Sequence, residues 1–257
     1  KLCGTVDFAM LSTVFALAWP TMLEQLMQTA VQYIDTAMVG SLGTDATAAV
    51  GATTSLNWLI NGTVSALGVG FLAYISQALG KKDDEGAKRA TAQSVLAVIV
   101  VGAALTVLTL ALAPVVPYLM RVPAHIQTVC AQYFFILYAP MLFRTATAIF
   151  GTVLRASGDS KTPMYISILV NVVNVVLNFL LIFPTRNIRG VTVYGAGLGV
   201  IGAAIASAVA FALGGILITV KLFSHKQISP RGYSIKPDRT VLGPCLKVAV
   251  PNMLQRF

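Results

Sequence analysis

Six long apolar runs, separated by short polar segments, occupy almost the whole sequence. A helix needs about 20 mostly apolar residues to cross the hydrocarbon core of a bilayer, and each run reaches that length. Only 11% of the residues are charged, whereas soluble domains average about 25%. The sequence therefore predicts an all-α integral membrane protein with a six-helix transmembrane bundle and the start of a seventh helix. The predicted spans are Leu11–Gly40, Thr47–Leu79, Ala92–Leu119, Val129–Phe150, Met164–Phe183 and Gly195–Phe223, with a seventh from Val241.

Positive charge is concentrated on one side of these predicted spans. The net charge is +9, and most Lys and Arg residues fall at the N-terminus and in the loops after spans two, four and six. Basic residues collect in cytoplasmic loops, so we expect a cytoplasmic N-terminus. Their confinement to short loops argues against nucleic-acid binding. The residues assigned to the cytoplasmic side are Lys1, Lys81, Lys82, Lys88, Arg89, Arg144, Arg155, Lys161, Lys221, Lys226, Arg231, Lys236, Arg239 and Lys247.

A short repeat predicts the domain organisation. Residues 18–24 (Ala-Trp-Pro-Thr-Met-Leu-Glu) return in altered form at residues 249–255 (Ala-Val-Pro-Asn-Met-Leu-Gln). The offset equals six spans and a connecting loop, so both copies would enter the membrane from the cytoplasm. Parallel repeats of this kind build two-lobed transporters. We predict an N-terminal six-helix lobe at 1–223, a cytoplasmic linker at 224–240 and the truncated start of a second lobe at 241–257.

A polar stripe runs along the first predicted span. Gln25, Gln28, Gln32 and Asp35 are spaced by three, four and three residues, which places them on one face of a helix. A carboxylate at the centre of a membrane helix costs roughly 2.5–3.5 kcal/mol on insertion scales. Asp35 is therefore either a structural acid paired with a neighbouring helix or a site for a cation or a proton.

A second polar stripe lies on the fifth predicted span, where Ser167, Asn171, Asn174 and Asn178 share one helix face. Buried amides need partners, and hydrogen bonding between helices would account for Asn171. We expect Asn174 and Asn178 to meet Asp35. A carboxylate with neutral oxygens is the ligand set of a hard cation, so Na⁺ at Asp35 and a proton are both admissible.

Other polar residues in the spans are weaker candidates. Ser207 lies one turn after Ala203, so its hydroxyl and the Ala203 carbonyl would add oxygens to the same site. Asn57 and Asn61, one turn apart in span two, line a cavity or pair with a neighbouring helix. The small residues that open span six predict close helix packing. The sequence has no nucleotide-binding loop, metal-ligand cluster or nucleophile–base pair, so we expect neither an enzyme nor a cofactor.

Four stretches of the sequence carry a family resemblance. They are Pro20–Leu26 continuing to Asp35–Gly40, Ser76–Gly80, Leu154–Met164 and Gly202–Ser207. In this order and spacing they resemble the multidrug and toxic compound extrusion (MATE) transporters along nearly the whole chain. The resemblance implies the N-terminal half of a twelve-helix, two-lobed antiporter. Such proteins export amphipathic, often cationic organic compounds in exchange for Na⁺ or H⁺.

Within that resemblance, Asp35 falls on the acid of the family's first helix. Some members carry a second acid on span five, where this chain has Asn178, so the acid-pair form of the site is in question. A second carboxylate would have to be Glu24, about three turns from Asp35, or come from the other half. The cavity-lining candidates are Glu24, Gln25, Gln28, Gln32, Asn57, Asn61 and Asn171.

Two other functions stay open. Flippases for lipid-linked saccharide precursors, from the same superfamily, line a wide cavity with cationic side chains. We predict no Lys or Arg at mid-membrane, which favours the exporter. An ion channel or a membrane scaffold is the third possibility, but no selectivity loop is visible. We expect a multi-pass protein of the plasma or inner membrane. Its partners would be a small organic substrate, Na⁺ or H⁺, the lipid bilayer and the C-terminal half of the same protein.

Overall fold

The structure, a computed structural model, describes residues 8–255. Lys1 and the outermost residues of the two predicted terminal domains, 1–7 and 256–257, lie outside the described residues. The elements in chain order are α1 (Phe8–Gly40), α2 (Thr44–Gly80), α3 (Asp84–Leu112), α4 (Val116–Leu119), a 3₁₀ turn (Ala124–Ile126), α5 (Gln127–Tyr138), α6 (Met141–Ala156), α7 (Lys161–Ile182), β1 (Pro184–Ile188), β2 (Val191–Ala196), α8 (Val200–Ser224) and α9 (Arg239–Leu254).

The predicted helical membrane fold is confirmed. In the described part of the chain, α2, α3, α7 and α8 are each long and apolar enough to cross a membrane. The 3₁₀ turn, α5 and α6 are also long and apolar enough to cross a membrane when they are taken together as one bent span. Helix α1 has 33 residues but carries Glu24, Asp35 and three glutamines, so it is a long helix of mixed polarity rather than an apolar span.

The third span begins earlier than predicted. Helix α3 starts at Asp84, because the Asp83 side chain caps it by accepting a hydrogen bond of 2.9 Å from the Gly86 N–H. Lys88 and Arg89, predicted in a loop, therefore lie in the first turns of this helix. The helix ends at Leu112, two residues before Pro114, which has no N–H to continue the ladder.

The fourth span is not one straight helix. Helices α5 and α6 meet at a bend of 45°, because Pro140 lacks the N–H that a continuous helix would need at that point. Arg144 falls inside the predicted fourth span but was counted with the cytoplasmic loop residues, and that count is wrong. Arg144 lies in the first turn of α6, where its N–H donates to the Pro140 carbonyl at 3.1 Å.

A β-hairpin precedes the last span, which the sequence analysis did not predict. Strands β1 and β2 pair antiparallel, with Arg186 opposite Val193. The turn residues Arg189 and Gly190 both have positive φ, 51° and 86°, as a type I′ turn requires. The predicted start of span six at Gly195 is therefore wrong. Gly195 belongs to β2, and helix α8 begins at Val200.

Small residues let α8 approach two neighbouring helices closely. A Cβ added at Gly202 would lie 2.5 Å from the carbonyl oxygen of Leu181 in α7, and one at Gly215 would lie 2.5 Å from Cβ of Phe143 in α6. The predicted close packing of span six is observed at these positions. Helix α1 packs mainly against α7. These contacts bring the polar faces of α1, α7 and α8 together.

Candidate functional site

A chain of side-chain hydrogen bonds joins α1, α7 and α8 in the interior of the bundle. Asn178 Nδ2 donates to Asp35 Oδ1 at 2.5 Å and to Asn174 Oδ1 at 2.8 Å. Asn174 Nδ2 in turn donates to Ser207 Oγ at 3.1 Å. The structure thus joins four of the five predicted ion-site residues in one hydrogen-bond network.

Helix geometry explains why these four side chains meet. Asn174 and Asn178 are four residues apart, so both project from one face of α7. They are 6% and 1% exposed, while Asp35 is half-buried. The fifth candidate, Ala203, is buried one turn before Ser207. In a helix its carbonyl points toward the Ser207 N–H rather than toward Asp35. Ala203 therefore adds a small side chain next to the network.

The network leaves one buried oxygen atom free to contact a cation. Asn178 Oδ1 is buried and has no hydrogen-bond partner among the described residues, and one such atom costs about 1–3 kcal/mol. It belongs to the same amide that contacts Asp35. A carboxylate beside a free amide oxygen suits a hard cation such as Na⁺. The described residues hold no cluster of three His, Cys, Asp or Glu side chains, so a transition-metal site is not formed by them.

The glutamines of the first polar stripe lie outside this network. Gln25, Gln28 and Gln32 are exposed on α1. Gln28 Nε2 lies 3.4 Å from Glu24 Oε1 and also 3.4 Å from Ser167 Oγ of α7. The predicted stripe therefore divides, with Asp35 in the bundle and the glutamines on a polar exposed face. Asn171 is half-buried, and its Nδ2 has no partner among the described residues.

Glu24 forms a buried ion pair. Its Oε2 lies 2.5 Å from Arg155 Nη2, at the end of α6, and Glu24 is 7% exposed. Arg155 was predicted in a loop, and Glu24 was considered as a second free carboxylate. The structure corrects both assignments, because the pair neutralises both charges and ties α1 to α6.

A half-buried arginine, Arg144, lies in a second polar cluster that was not predicted from the sequence. Arg144 Nη2 donates to Asn57 Oδ1 at 2.7 Å and lies 3.4 Å from Asn61 Oδ1. Its guanidinium also stacks on the rings of Tyr138 and Phe211, at 5.0 and 4.6 Å. Arg144 Nη1 is buried without a hydrogen-bond partner in the described part of the chain. Arg144 thus lies near the middle of the bent span formed by α5 and α6, where no basic residue was expected.

The Arg144 cluster and the Asp35 network share the interior of the bundle. Tyr138 also donates to Asn57 Oδ1, at 2.9 Å, so Asn57 is held from two sides. Phe211, on which the Arg144 guanidinium stacks, lies one turn after Ser207 of the Asp35 network on α8. The signal in the sequence was the predicted span Val129–Phe150 itself, which already contained Arg144.

The sequence pattern of one family, MatE, matches residues 20–180. This match covers more than half of the 257 residues and includes Asp35, Asn174 and Asn178. The chain belongs to the MatE family. MatE proteins are membrane transporters rather than enzymes, so the chain is part of a multi-pass transport protein. An ion channel or a passive scaffold does not fit this membership.

Relatives and solved structures agree with the MatE membership. A probable multidrug resistance protein NorM of Thermotoga maritima is 24% identical over 241 residues, 94% of this chain and 50% of that protein. A probable multidrug resistance protein YoeA of Bacillus subtilis is 27% identical over 239 residues, 90% of this chain and 50% of that protein. A multidrug resistance MATE family transporter in an outward-facing conformation superposes with a TM-score of 0.84 at 25% identity, over 95% of this chain and 52% of that one. The chain thus spans about half the length of the curated relatives it matches.

Proposed function

We propose that this chain is the N-terminal lobe of a secondary antiporter in the cell membrane. The whole protein would export amphipathic, often cationic organic compounds in exchange for Na⁺ or H⁺. Relatives named as probable multidrug resistance proteins support this proposal. In the proposal the N-terminus is cytoplasmic. Residues 241–257 begin a second lobe, which the C-terminal half of the same protein completes, and the substrate passes between the two lobes.

The observation that carries the proposal is that Asp35 has no basic partner among the described residues. This carboxylate lies in a long helix of the membrane bundle, and it accepts a hydrogen bond from the neutral amide of Asn178. Among the described residues, Glu24 forms an ion pair with Arg155 and Asp45 contacts His125, and neither contact involves Asp35. A membrane carboxylate without a fixed cation needs a mobile one, because an unpaired charge at low dielectric is costly.

Exchange follows from the single negative charge of Asp35. The carboxylate binds Na⁺ with the help of Asn178 Oδ1, or it takes up a proton, and either event removes the charge. A cationic substrate is attracted only while the carboxylate is ionised, because Coulomb attraction in a poorly screened interior is strong. Coupling ion and substrate therefore compete for one charge. That competition is the condition for antiport.

The test is efflux from vesicles that contain the full-length protein. A fluorescent organic cation is loaded, and a sodium gradient and a pH gradient are imposed separately. We expect at least one gradient to drive efflux and the other, at matched size, to be much weaker if the site is selective. Efflux that responds to neither gradient would overturn the antiport proposal.

Arg144 favours a second candidate function. The guanidinium of half-buried Arg144 has one buried nitrogen, Nη1, without a partner, and no carboxylate contacts it among the described residues. Such a group is suited to a phosphate or carboxylate. The lipid-linked saccharide precursors that flippases transport contain pyrophosphate. The exporter was favoured over a flippase because no basic residue was expected at mid-membrane. Arg144 removes that distinction, so transport of an anionic amphiphile is the alternative.

The two candidates respond differently to Arg144→Gln. If the substrate is a cation, the variant exports it at least as well as wild type, because a repulsive charge is gone. If an anionic group binds Arg144, transport of an anionic amphiphile falls at least tenfold, since hydrogen bonds to charged groups are worth about 1.5–3 kcal/mol. Arg121→Gln, at an exposed position between α4 and α5, removes the same charge as a matched control and should change neither activity.

A further inference from the structure

We propose that the face formed by α2, α3, α9 and the linker before α9 binds one anionic phospholipid. The linker, predicted at 224–240, spans residues 225–238 between α8 and α9 in the structure. Two adjoining cavities on this face have volumes of about 300 and 330 Å³, and Pro237 lines both. The first is entirely apolar and the second is cationic. The headgroup would occupy the cationic cavity and an acyl chain the apolar one.

The cationic cavity has a surplus of positive charge. It is lined by Arg89, Lys236 and Arg239, against the single carboxylate of Asp238. Asp238 Oδ1 already accepts hydrogen bonds from the Thr240 hydroxyl and N–H, at 2.6 and 2.9 Å. These bonds lower the pKa of Asp238, so it stays ionised and the formal charge around the cavity is +2. A lipid phosphate would be attracted by that charge.

The cationic cavity is preformed by a buried glutamine. Gln93 of α3 is 1% exposed. Its Nε2 donates to the Lys236 carbonyl at 2.7 Å, and its Oε1 accepts from the Asp238 N–H at 3.1 Å. Both ends of one amide thus hold the linker against α3. A site whose backbone is already fixed loses less entropy when it binds a ligand.

The change from charged to apolar lining follows the long axis of two helices. On α3, Arg89 and Gln93 line the cationic cavity, and the next turns of the same face line the apolar one. On α9 the change comes just after Arg239. From Arg89 to Val101, α3 rises about 18 Å, which is a headgroup-to-acyl-chain length. The apolar wall consists of Leu67, Phe71, Leu96, Ala97, Val100, Val101, Pro237, Leu242, Cys245, Leu246 and Ala249.

The pairing of the two cavities identifies the ligand class. A free phosphate would need only the cationic cavity, and a packing helix would need only the apolar one. An anionic phospholipid uses both. The charged end also lies on the side that the distribution of basic residues predicts to be cytoplasmic, where anionic lipids attract basic segments. The inference does not depend on what the protein transports.

The experiment measures lipid binding to the full-length protein in mild detergent. Fluorescent phosphatidylglycerol and phosphatidylcholine with identical acyl chains are titrated, and glycerol 3-phosphate is added as a soluble competitor. We expect phosphatidylglycerol to bind at least tenfold more tightly than phosphatidylcholine. The competitor should displace it only weakly, because it lacks the acyl chain. Equal binding of both lipids, or full displacement by equimolar glycerol 3-phosphate, would overturn the proposal.

Variants locate the site. Each cation near a membrane surface contributes about 1 kcal/mol, or roughly fivefold in affinity. The triple variant Arg89→Gln, Lys236→Gln, Arg239→Gln should therefore lose its preference for phosphatidylglycerol. The matched control is Lys161→Gln, Lys221→Gln, Lys226→Gln, three exposed residues that line neither cavity and are predicted on the same membrane side. It should bind as wild type.

The apolar half of the site is tested separately by Ala97→Phe, which fills the cavity without changing charge. It should weaken binding of both lipids while glycerol 3-phosphate binding is unchanged. Circular dichroism and size-exclusion chromatography show whether each variant is folded. Wild-type lipid binding by the triple variant, or an equal loss in its matched control, would show that the lipid does not bind here.

Discussion

Asn178 of α7 donates a hydrogen bond of 2.5 Å to the carboxylate of Asp35 in α1, although 143 residues separate them in the sequence. The same amide group also holds Asn174, and its own Oδ1 has no hydrogen-bond partner among the described residues. Asn178 is therefore the centre of the network. Its donor end orients the acid, and its acceptor end is free to contact a cation.

Asn178→Ala should weaken the ion dependence of transport without abolishing it. The substitution removes one neutral oxygen ligand, while the charge of Asp35 remains. In efflux assays the concentration of Na⁺ or H⁺ that gives half-maximal rate should rise severalfold. The control is Asn171→Ala, because Asn171 is a polar residue of the same helix outside the network. It should change this concentration little. Unchanged ion dependence in Asn178→Ala would exclude Asn178 as a ligand.

Glu24→Gln should destabilise the protein through Arg155. Removing one partner leaves a partly buried guanidinium uncompensated, which costs about 3 kcal/mol, the lower end of the range for buried pairs. Arg155 Nε already has no partner in the described part of the chain. Thermal unfolding in detergent should show a clear decrease in midpoint. The control Glu85→Gln, an exposed acid, should have no comparable effect, and adding Arg155→Gln to the first variant should recover part of the loss.

Gly202→Ala should disturb the contact between α7 and α8. The new Cβ would lie 2.5 Å from the backbone carbonyl of Leu181, and a backbone atom cannot move aside cheaply. Overpacking of this kind costs about 1–3 kcal/mol. The shift would also separate Ser207 from Asn174. Gly51→Ala, where nothing lies within 4 Å of the new Cβ, serves as the control. Equal melting points for the two variants would contradict the close approach of α8.

The orientation can be measured by labelling single cysteines from outside intact cells. The native Cys3, Cys130 and Cys245 are first replaced, and a cysteine is then placed at Lys82 or at Arg189, both of which are exposed. Lys82 joins α2 to α3, and Arg189 lies in the turn of the β-hairpin. We expect an impermeant maleimide to modify position 189 only. Modification at position 82 alone would reverse the proposed orientation.

The sequence predicted the helical membrane fold well, because apolar length and charge placement are strong signals in a bilayer. The meeting of Asp35 with Asn174 and Asn178 was also expected, since polar faces of membrane helices must find one another. The positions of Arg144 and Arg155 were not predicted. Each depends on a helix boundary near a proline or a loop, and hydropathy does not resolve such boundaries. The β-hairpin was missed because most of it lies between two apolar spans, and its last two residues, Gly195 and Ala196, resemble the start of a packed helix.

The central claim concerns the charge of Asp35, and Asp35→Asn tests it most directly. The variant keeps the size of the side chain and a hydrogen-bonding partner for Asn178, so it should insert and fold. Efflux by the full-length protein is measured against sodium concentration and against pH. The control is Asp45→Asn, the same chemical change at an acid that pairs with His125 outside the bundle core, with a 62% exposed side chain. We expect Asp35→Asn to lose gradient-driven efflux and Asp45→Asn to retain it. Wild-type rates with unchanged ion dependence in Asp35→Asn would show that Asp35 is only a structural acid.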